Sequence, residues 1–363
     1  MTPPSSVAVN ALLFQEPAGG VERAVAECAR ALAAQAPPAG RRLVLHAGNA
    51  LGEELKPASE TVLIRTGAWK NRLARMAMEQ QRVLREYGRG AWHHLGYIAP
   101  VCHPSPYSLS VYDITALTHP ELCTVANRWR YGLLLGRSIR RARSVVVPSN
   151  AVAAAIRRAV DFRGRIDVMP LPLPAWAAPV PGEESLPYEA RKHVLFAGDF
   201  GPKKNLPFLL RLYRRIPLKL RRRYPLVLVG GRGEAQATGL ASAEEHVLAR
   251  PYVDEAHLRE LFRQALVLVY PSLDEGYGFP PLEAKALGTP CVVSDRGALP
   301  EVAGRAGGLV LPLREEVFAE TLTRLMTDES AWRAAAQDRD GLPGGWRDYA
   351  GNLWKIWDEV FFS

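Results

Sequence analysis

Short apolar runs alternate with segments of helical periodicity through the first half of the chain. Residues 7–14 form an apolar run typical of a buried strand, and residues 21–34 repeat apolar positions at helical spacing after a turn at Gly19-Gly20. The same patterns predict strands at residues 43–46, 61–65, 109–112 and 144–148, and helices at 70–87, 127–141 and 150–160. Because strand–helix alternation is typical of a mostly parallel sheet, we predict an α/β domain.

A proline-rich stretch separates this domain from a second one of the same kind. Prolines crowd residues 170–187 without periodicity, and beyond them we predict strands at 193–197, 226–229, 266–270 and 290–294 and helices at 206–215, 254–264 and 282–287. The predicted organisation is an N-terminal Rossmann-like domain (1–170), a linker (171–190), a C-terminal Rossmann-like domain (191–345) and a helix (346–363) that packs back on the N-terminal domain. Two doubly wound domains would face each other across a cleft and bind ligands at the carboxyl ends of their strands.

Composition narrows the class of partner. The 363 residues suffice for two cores, and 46 basic against 37 acidic residues give a net charge of +9, which favours anionic partners.

The four cysteines are far apart and form no CxxC pair, so a reduced, cytosolic environment fits best. We expect no signal peptide and no membrane-spanning helix, and any membrane contact would be peripheral. RNA-binding aromatics and a helix–turn–helix pattern are not evident, so nucleic acid is not an expected partner.

The segment from Pro271 to Pro290 carries the most informative chemistry. Glu275 follows a predicted strand and precedes a glycine turn, and Glu283 lies eight positions later near the start of a helix. Carboxylates accept paired hydrogen bonds from vicinal hydroxyls, which sugars present, while glycine amides and a helix N-terminus suit a phosphate. Taken alone, Glu275 would be no more than a helix cap.

Residues 275–283 resemble the E-x7-E motif of the retaining glycosyltransferases of group 1, sequence family four, which have the GT-B fold. Further segments agree with that family in order and spacing: Gly19-Gly20, residues 197–206, residues 229–231, residues 288–290 and residues 299–302. The resemblance spans nearly the whole chain, and it is greatest to bacterial mannosyl- and rhamnosyltransferases of lipopolysaccharide or exopolysaccharide assembly.

The resemblance implies a role for individual residues. Glu275 would contact the hydroxyls of the donor sugar and stabilise its developing positive charge, Glu283 would bind the nucleotide ribose, and Lys204 would hold the donor diphosphate. The glycine loop at Gly19 and Gly20 would lie beside that phosphate. The remaining donor-binding candidates are Asp199, Lys203, Tyr252, Gly276, Tyr277, Gly278 and Phe279.

Two positions depart from the family pattern. The arginine that often precedes the lysine motif is absent near Asp199, and Lys203 or Arg232 could replace its charge. The His-Asp pair of the N-terminal domain is Tyr112-Asp113 here, so either Tyr112 or His119 would act in place of the histidine that contacts the transferred sugar.

The resemblance implies a metal-independent, retaining hexosyltransferase without a cofactor. Its donor would be a nucleotide sugar, with GDP-mannose favoured over UDP- and dTDP-sugars, and its acceptor a glycan or lipid-linked glycan of a cell-surface polysaccharide. We expect it in the cytoplasm or peripherally at the inner membrane. Two alternatives remain: a non-catalytic nucleotide-sugar or glycan-binding subunit of the same fold, and a sugar-nucleotide epimerase.

Two polar features have competing interpretations. The predicted helix 70–87 carries Lys70, Arg72, Arg75, Arg82 and Arg85, which would form either a solvated face or a surface for an anionic membrane. The adjacent pair His93-His94 would point to opposite faces of a strand, which favours a polar sheet edge over a metal site.

Overall fold

The computed structural model describes residues 6–14, 19–85, 90–103, 106–230, 239, 244–250, 253–305, 307–336 and 341–363. The chain divides into two compact units. The first comprises Met1–Glu121, Val125–Pro172 and Pro343–Ser363, and the second Leu122–Thr124 and Leu173–Leu342. Each unit contains a parallel sheet with helices around it, which confirms the prediction of two α/β Rossmann-like domains.

The first unit is built on a parallel sheet of seven strands within the described residues, in the order β3-β2-β1-β4-β5-β6-β7. The strands are β1 (Ser6–Asn10), β2 (Arg42–His46), β3 (Val62–Arg65), β4 (Ala91–His94), β5 (Tyr107–Ser110), β6 (Ser144–Val147) and β7 (Arg165–Val168). Strand β1 ends earlier than the apolar run predicts. The Asn10 side chain accepts a hydrogen bond from the Leu12 amide (3.0 Å), which turns the chain.

Helices connect these strands. They are α1 (Gly20–Ala33), α2 (Asn49–Glu54), α3 (Arg72–Arg85), α4 (Thr115–Thr118), α5 (Val125–Arg141) and α6 (Asn150–Ala159). Ser149 caps α6 by accepting a hydrogen bond from the Val152 amide (3.2 Å). Later in the chain, α14 (Trp346–Trp357) and a π-helical turn (Asp358–Phe362) belong to this unit, and α14 packs against α1.

The basic helix α3 does not present all its arginines to solvent or to a membrane. Arg75 is buried and lies beside Glu79, with 3.5 Å between Nη1 and Oε1. Arg82 donates to the carbonyl oxygens of Arg65 and Thr66. Arg75 is therefore withdrawn from the exposed face of α3, whereas Arg82 is half-buried and bound to backbone carbonyls. The solvated-face and membrane interpretations of the helix stay predictions.

His93 and His94 do not form a polar sheet edge, because β4 lies in the middle of the sheet and both side chains are fully buried. They point to opposite faces, as the strand period requires. His93 hydrogen-bonds to Ser108 and Ser110, and its ring lies 5.3 Å from that of Trp357. Burial lowers the pKa of His93 to about 3, so this histidine is neutral in the folded state.

The second unit has a parallel sheet of six strands within the described residues, in the order β10-β9-β8-β11-β12-β13. The strands are β8 (His193–Ala197), β9 (Leu226–Val229), β10 (Val247–Arg250), β11 (Ala265–Tyr270), β12 (Cys291–Ser294) and β13 (Leu309–Leu311). Strands β8 and β11 are wholly buried, so their sequences are continuous apolar runs. They pair directly with each other, which brings the loops after their carboxyl ends together.

Helices connect and flank the strands of the second unit. They are α7 (Leu206–Arg214), α8 (Leu218–Arg223), α9 (Glu255–Gln264), α10 (Phe279–Ala286), α11 (Leu299–Arg305), α12 (Glu315–Thr327) and α13 (Glu329–Ala336). The proline-rich stretch contributes Trp176 and Tyr188 to this core, where the Tyr188 hydroxyl donates to the Met326 carbonyl at 2.6 Å. None of the helices in the described part of the chain is long and apolar enough to cross a membrane.

Candidate active site

Two loops of the second unit bring a lysine and a glutamate together. Beyond β8 the chain turns through Gly198 into a short 3-10 helix that ends at Lys204, and beyond β11 it continues directly to Glu275. The Leu273 amide donates to the Lys203 carbonyl (2.8 Å), and the Asn205 side chain donates to the Pro271 carbonyl (3.2 Å). These bonds fix one loop against the other at the edge where parallel sheets bind ligands.

The Lys204 ammonium lies at the centre of a buried cluster of polar groups. It donates to the Glu275 carboxylate and to the Tyr270 hydroxyl, the latter at 2.5 Å. Its Nζ also lies 4.8 Å from the centre of the Tyr270 ring. The Nζ of Lys203 is 3.8 Å from the other oxygen of Glu275. Two cations and one anion therefore share a site from which water is largely excluded.

The charge states of this cluster follow from its geometry. Burial raises the pKa of Glu275, but the charges of Lys204 and Lys203 outweigh burial, and the net effect is a pKa below the usual value. Burial and the nearby Glu275 raise the pKa of Tyr270 well above its usual value. The site therefore holds an ionised carboxylate and a neutral phenol at neutral pH.

Glycines allow the backbone to approach this cluster closely. Gly297 has φ of 55°, and a Cβ there would lie 2.4 Å from both the amide nitrogen and the carbonyl oxygen of Glu275. At the ends of β8 and β9, a Cβ on Gly230 would lie 1.8 Å from the Gly198 carbonyl oxygen. Larger residues would push apart the segments that carry Lys204 and Glu275.

The second glutamate of the motif lies on the next helix. Gly278 takes a left-handed conformation with φ of 97° and begins α10, which has prolines in its first turn. The Tyr277 and Phe279 rings pack edge to face at 5.5 Å between centroids, and Tyr277 is buried. Glu283 is buried on α10, with an exposed fraction of 5%. Helix α10 thus presents its positive N-terminal end directly after the loop of Gly276, Tyr277 and Gly278.

Other donor-binding candidates have more limited roles in the described structure. Asp199 is exposed, and its carboxylate accepts a hydrogen bond from the Gly201 amide (2.9 Å), which stabilises the turn before Lys204. Tyr252 and Arg232 lie outside the described residues. Strand β10 ends at Arg250, shortly before the donor-binding candidate Tyr252 in the sequence.

The N-terminal candidates lie in the first unit. Gly19 precedes α1 and Gly20 is its first residue, in the connection that follows β1. Tyr112 is buried just beyond the carboxyl end of β5, with its ring edge-on to Tyr97 at 5.6 Å. Burial raises the pKa of Tyr112, so the phenol stays protonated. His119 is exposed instead and pairs with Glu121, with 3.3 Å between Nδ1 and Oε1.

Two residues of the lysine–glutamate cluster escaped sequence reasoning. Tyr270 ends an apolar strand, and nothing in the sequence distinguishes it from an ordinary core tyrosine. Gly297 lies 22 positions beyond Glu275 in the sequence, and no local pattern connects the two. Only the three-dimensional fold reveals that Tyr270 contacts Lys204 and that Gly297 contacts Glu275.

Comparison with known proteins finds a family match within the second unit. Residues 183–339 match the family described as "Glycosyl transferases group 1". O-antigen chain mannosyltransferase B of Escherichia coli is 34% identical over 171 residues, which cover 46% of this chain and 44% of that protein. The alignment therefore spans less than half of that relative's length.

Solved structures resemble the whole chain. Sucrose-phosphate synthase from Thermosynechococcus elongatus superposes with a TM-score of 0.74 and 19% identity, covering 99% of both chains. WaaG, a glycosyltransferase involved in lipopolysaccharide biosynthesis, superposes with a TM-score of 0.69 and 16% identity over 98% of this chain and 100% of that chain. At these identities the likeness concerns the fold, and it confirms the expected GT-B architecture.

Proposed function

We propose, from the group 1 glycosyl transferase domain that residues 183–339 form, that the protein is a retaining hexosyltransferase of cell-surface polysaccharide synthesis. It would move a hexose, with mannose favoured, from a nucleotide diphosphate sugar to a glycan or lipid-linked glycan. The observation that carries this proposal is the buried pairing of Lys204 with Glu275 at the carboxyl ends of β8 and β11, inside the matched segment. The similarity to an O-antigen mannosyltransferase supports the choice of sugar and pathway.

Each charged group of the cluster has a task in this reaction. Lys204 and Lys203 would neutralise the donor diphosphate, helped by the N-terminal end of α10. Glu275 would accept hydrogen bonds from the donor sugar and stabilise positive charge that develops at its anomeric carbon. Glu283 would bind the ribose, with Gly276, Tyr277, Gly278 and Phe279 forming the wall between the two carboxylates.

The glycine loop at Gly19 and Gly20 would supply backbone amides to the same phosphate, and Tyr252 would flank the nucleotide base. Asp199 would act through the turn that it stabilises before Lys204. In the first unit, Tyr112 is the better replacement for the family histidine, because it is buried beyond a strand end while His119 lies exposed and paired with Glu121. The two alternatives, a binding subunit and an epimerase, gain no support from the mannosyltransferase similarity.

Neutralisation of the diphosphate by the protein predicts metal-independent turnover. Two lysines and a helix N-terminus supply the positive charge that a metal ion provides in other transferases. We therefore expect activity to persist in excess EDTA. Loss of turnover on chelation, restored by added Mg²⁺ or Mn²⁺, would contradict this part of the mechanism.

The identity of the donor can be tested by a binding and turnover screen. We favour GDP-mannose over UDP- and dTDP-sugars. A tight ligand raises the melting temperature as its concentration exceeds the dissociation constant, so thermal shift ranks the donors. Release of nucleoside diphosphate from the best donor then measures turnover. Binding without any release, with or without glycan, would favour the non-catalytic subunit, and release of an isomerised sugar nucleotide would favour the epimerase.

We also propose that the protein acts in the cytoplasm and associates peripherally with an anionic membrane, through α5 rather than α3. Val125, Trp129 and Leu133 are spaced four residues apart on α5, and each is about two-thirds or more exposed, at 74%, 67% and 69%. At 100° per residue they form one stripe, which Arg140 continues and which Arg128 and Arg137 flank. An exposed tryptophan among arginines suits the interface of an anionic bilayer.

A further inference from the structure

A cavity of about 250 Å³ lies in the first unit, beyond the carboxyl ends of β1 and β4 and between α3 and α5. Its lining includes Asn10 at the end of β1, Gly96 and Tyr97 after β4, Arg75 and Glu79 of α3, and Arg130 and Tyr131 of α5. At about 30 Å³ for each water molecule, the space holds roughly eight waters, which is room for one sugar ring.

The polar side chains of the cavity are buried and connected. Arg75 has an exposed fraction of 6%, and its Nη1 lies 3.5 Å from Glu79 Oε1. The Nε of Arg75 is buried and has no hydrogen-bond partner among the described residues. Asn10 hydrogen-bonds to Glu79, and burial raises the pKa of that carboxyl against the opposing charges of Arg75 and Arg130. A buried donor without a partner costs free energy unless a ligand or water satisfies it.

The charges around the cavity do not favour an anion. Arg75 and Arg130 face Glu79, the Tyr97 hydroxyl donates to Asp113 at 3.2 Å, and the charge of Glu22 also acts on Tyr97 and Tyr131. With two cations and three carboxylates in this network, an anionic ligand would gain little. Hydroxyl groups, by contrast, can both donate to the Glu79 carboxylate and accept from the Arg75 and Arg130 guanidinium groups.

Two aromatic rings complete the lining. Tyr97 and Tyr131 pack at 5.3 Å between centroids, and Arg130 donates to the Tyr131 hydroxyl at 2.6 Å. Aromatic faces suit the C–H surfaces of a sugar ring, and the fixed donors and acceptors beside them suit its hydroxyls. Tyr97 also touches Tyr112, the residue that we propose acts in place of the family histidine.

We propose that this cavity binds an uncharged sugar ring, the terminal sugar of the acceptor, with Glu79 as the residue that accepts its hydroxyl hydrogen bonds and Arg130 as a donor to its oxygens. The assignment of the ring to the acceptor rests on the proposed transferase function. The binding of an uncharged sugar rests only on the cavity.

Binding is tested on the full chain with methyl α-D-mannoside and with D-glucuronate as an anionic sugar, by saturation-transfer NMR. Glu79→Gln keeps the shape of the side chain and removes its charge. We expect mannoside to bind the parent and to bind this variant about tenfold more weakly or worse, as loss of a hydrogen bond to a charged group implies. Glu53→Gln, at an exposed glutamate of α2, is the matched control and should bind as the parent does.

Kinetics assign the ring to one substrate. Mannoside should compete with the acceptor and not with the nucleotide sugar. Glu79→Gln should raise the KM for the acceptor, while the nucleotide sugar should still shift the melting temperature of this variant. Tyr131→Phe, which removes only a hydroxyl, provides a second, milder variant if Glu79→Gln folds poorly.

Binding of glucuronate but not mannoside, or undiminished mannoside binding by a folded Glu79→Gln variant, would overturn the proposal. Competition with the donor would overturn the acceptor assignment. If the parent binds mannoside but turns over no nucleotide sugar, the transferase function fails and the sugar site stands.

Discussion

Lys204 and Glu275 depend on each other because both are buried. Unit charges about 4 Å apart attract by about 4 kcal/mol at an effective dielectric constant of 20. Removal of one partner would leave the other charge buried and unmatched. In the proposed reaction, the donor diphosphate would take over the Lys204 ammonium and leave the Glu275 carboxylate to the hydroxyls of the donor sugar. The ion pair therefore holds both groups in position before the substrate binds.

Gly297 provides a residue-scale test of this arrangement. Gly297→Ala would require a non-glycine residue at φ of 55° and would place a methyl group 2.4 Å from the backbone of Glu275. We expect a loss of about 1–3 kcal/mol in unfolding free energy and a large fall in turnover, because the segment that carries Glu275 must shift.

Gly304→Ala is the matched control. Gly304 lies on helix α11, and a Cβ there would meet nothing within 4 Å. Alanine should be neutral or stabilising by about 0.5–1 kcal/mol at that position. Urea denaturation and initial rates of both variants check the prediction. Equal activity of Gly297→Ala and Gly304→Ala would show that the close approach at Glu275 is not required.

At the scale of elements, the sequence predicted the interior of each sheet better than its edges. Strands β8, β9 and β11 are wholly buried, and their apolar runs predict them almost to the residue. Strands β7, β10 and β13 were not predicted, and each lies at the edge of its sheet, where partial exposure removes the apolar signal. The prediction for the central strand β4 is also wrong, because each of its two histidines hydrogen-bonds to a buried partner that sequence alone does not reveal.

The pairing of Lys204 with Glu275 illustrates a second limit. Family resemblance identified Lys204 and Glu275, but their direct pairing and their contacts with Tyr270 and Gly297 depend on which loops the fold brings together. Helix α3 shows the same limit, because its charge pattern matches a solvated face although Arg75 turns inward to Glu79. Periodicity locates elements, whereas the partners of a side chain come from tertiary packing.

The proposed membrane contact of α5 is tested by exchanging its exposed apolar side chains. Trp129→Glu combined with Leu133→Glu adds two negative charges to the stripe and should abolish sedimentation with phosphatidylglycerol-containing vesicles. Binding by the parent should weaken with added salt and be absent on phosphatidylcholine alone.

Leu84→Glu serves as the control on α3, where Leu84 is 51% exposed. This variant should sediment as the parent does. If Leu84→Glu loses vesicle binding and the α5 variant keeps it, α3 rather than α5 contacts the membrane. If the parent never sediments with vesicles, the acceptor is presented in solution.

At the scale of the whole molecule, buried histidines predict sensitivity to acid in both units. Burial lowers the pKa of His93 to about 3 and that of His193 to about 4, whereas the unfolded chain titrates near 6.5. The unfolded state binds more protons below that value. Stability is therefore complete above about pH 6.5 and falls as the pH drops, by about 1.4 kcal/mol per pH unit for each of these histidines.

Urea titrations at about pH 7, 6 and 5 measure this dependence of unfolding free energy on pH. His193→Gln keeps a donor for the Leu261 carbonyl and should reduce the slope, whereas His119→Gln, at an exposed position, should leave it unchanged. A parent protein whose midpoint is the same at pH 7 and pH 5 would contradict the burial of neutral histidines.

Transfer of mannose by the parent and by Glu275→Gln tests the central claim most directly. GDP-mannose and a mannose-terminated glycan are incubated with each protein in excess EDTA, and the mass of the acceptor is measured by mass spectrometry. We predict a product one hexose heavier, formed several hundredfold more slowly by Glu275→Gln than by the parent. That variant should still show a nucleotide-induced thermal shift. The exposed control Glu320→Gln should keep the parent's rate. Equal rates for Glu275→Gln and the parent at saturating donor, or no transfer by the parent from any nucleotide sugar, would contradict the account.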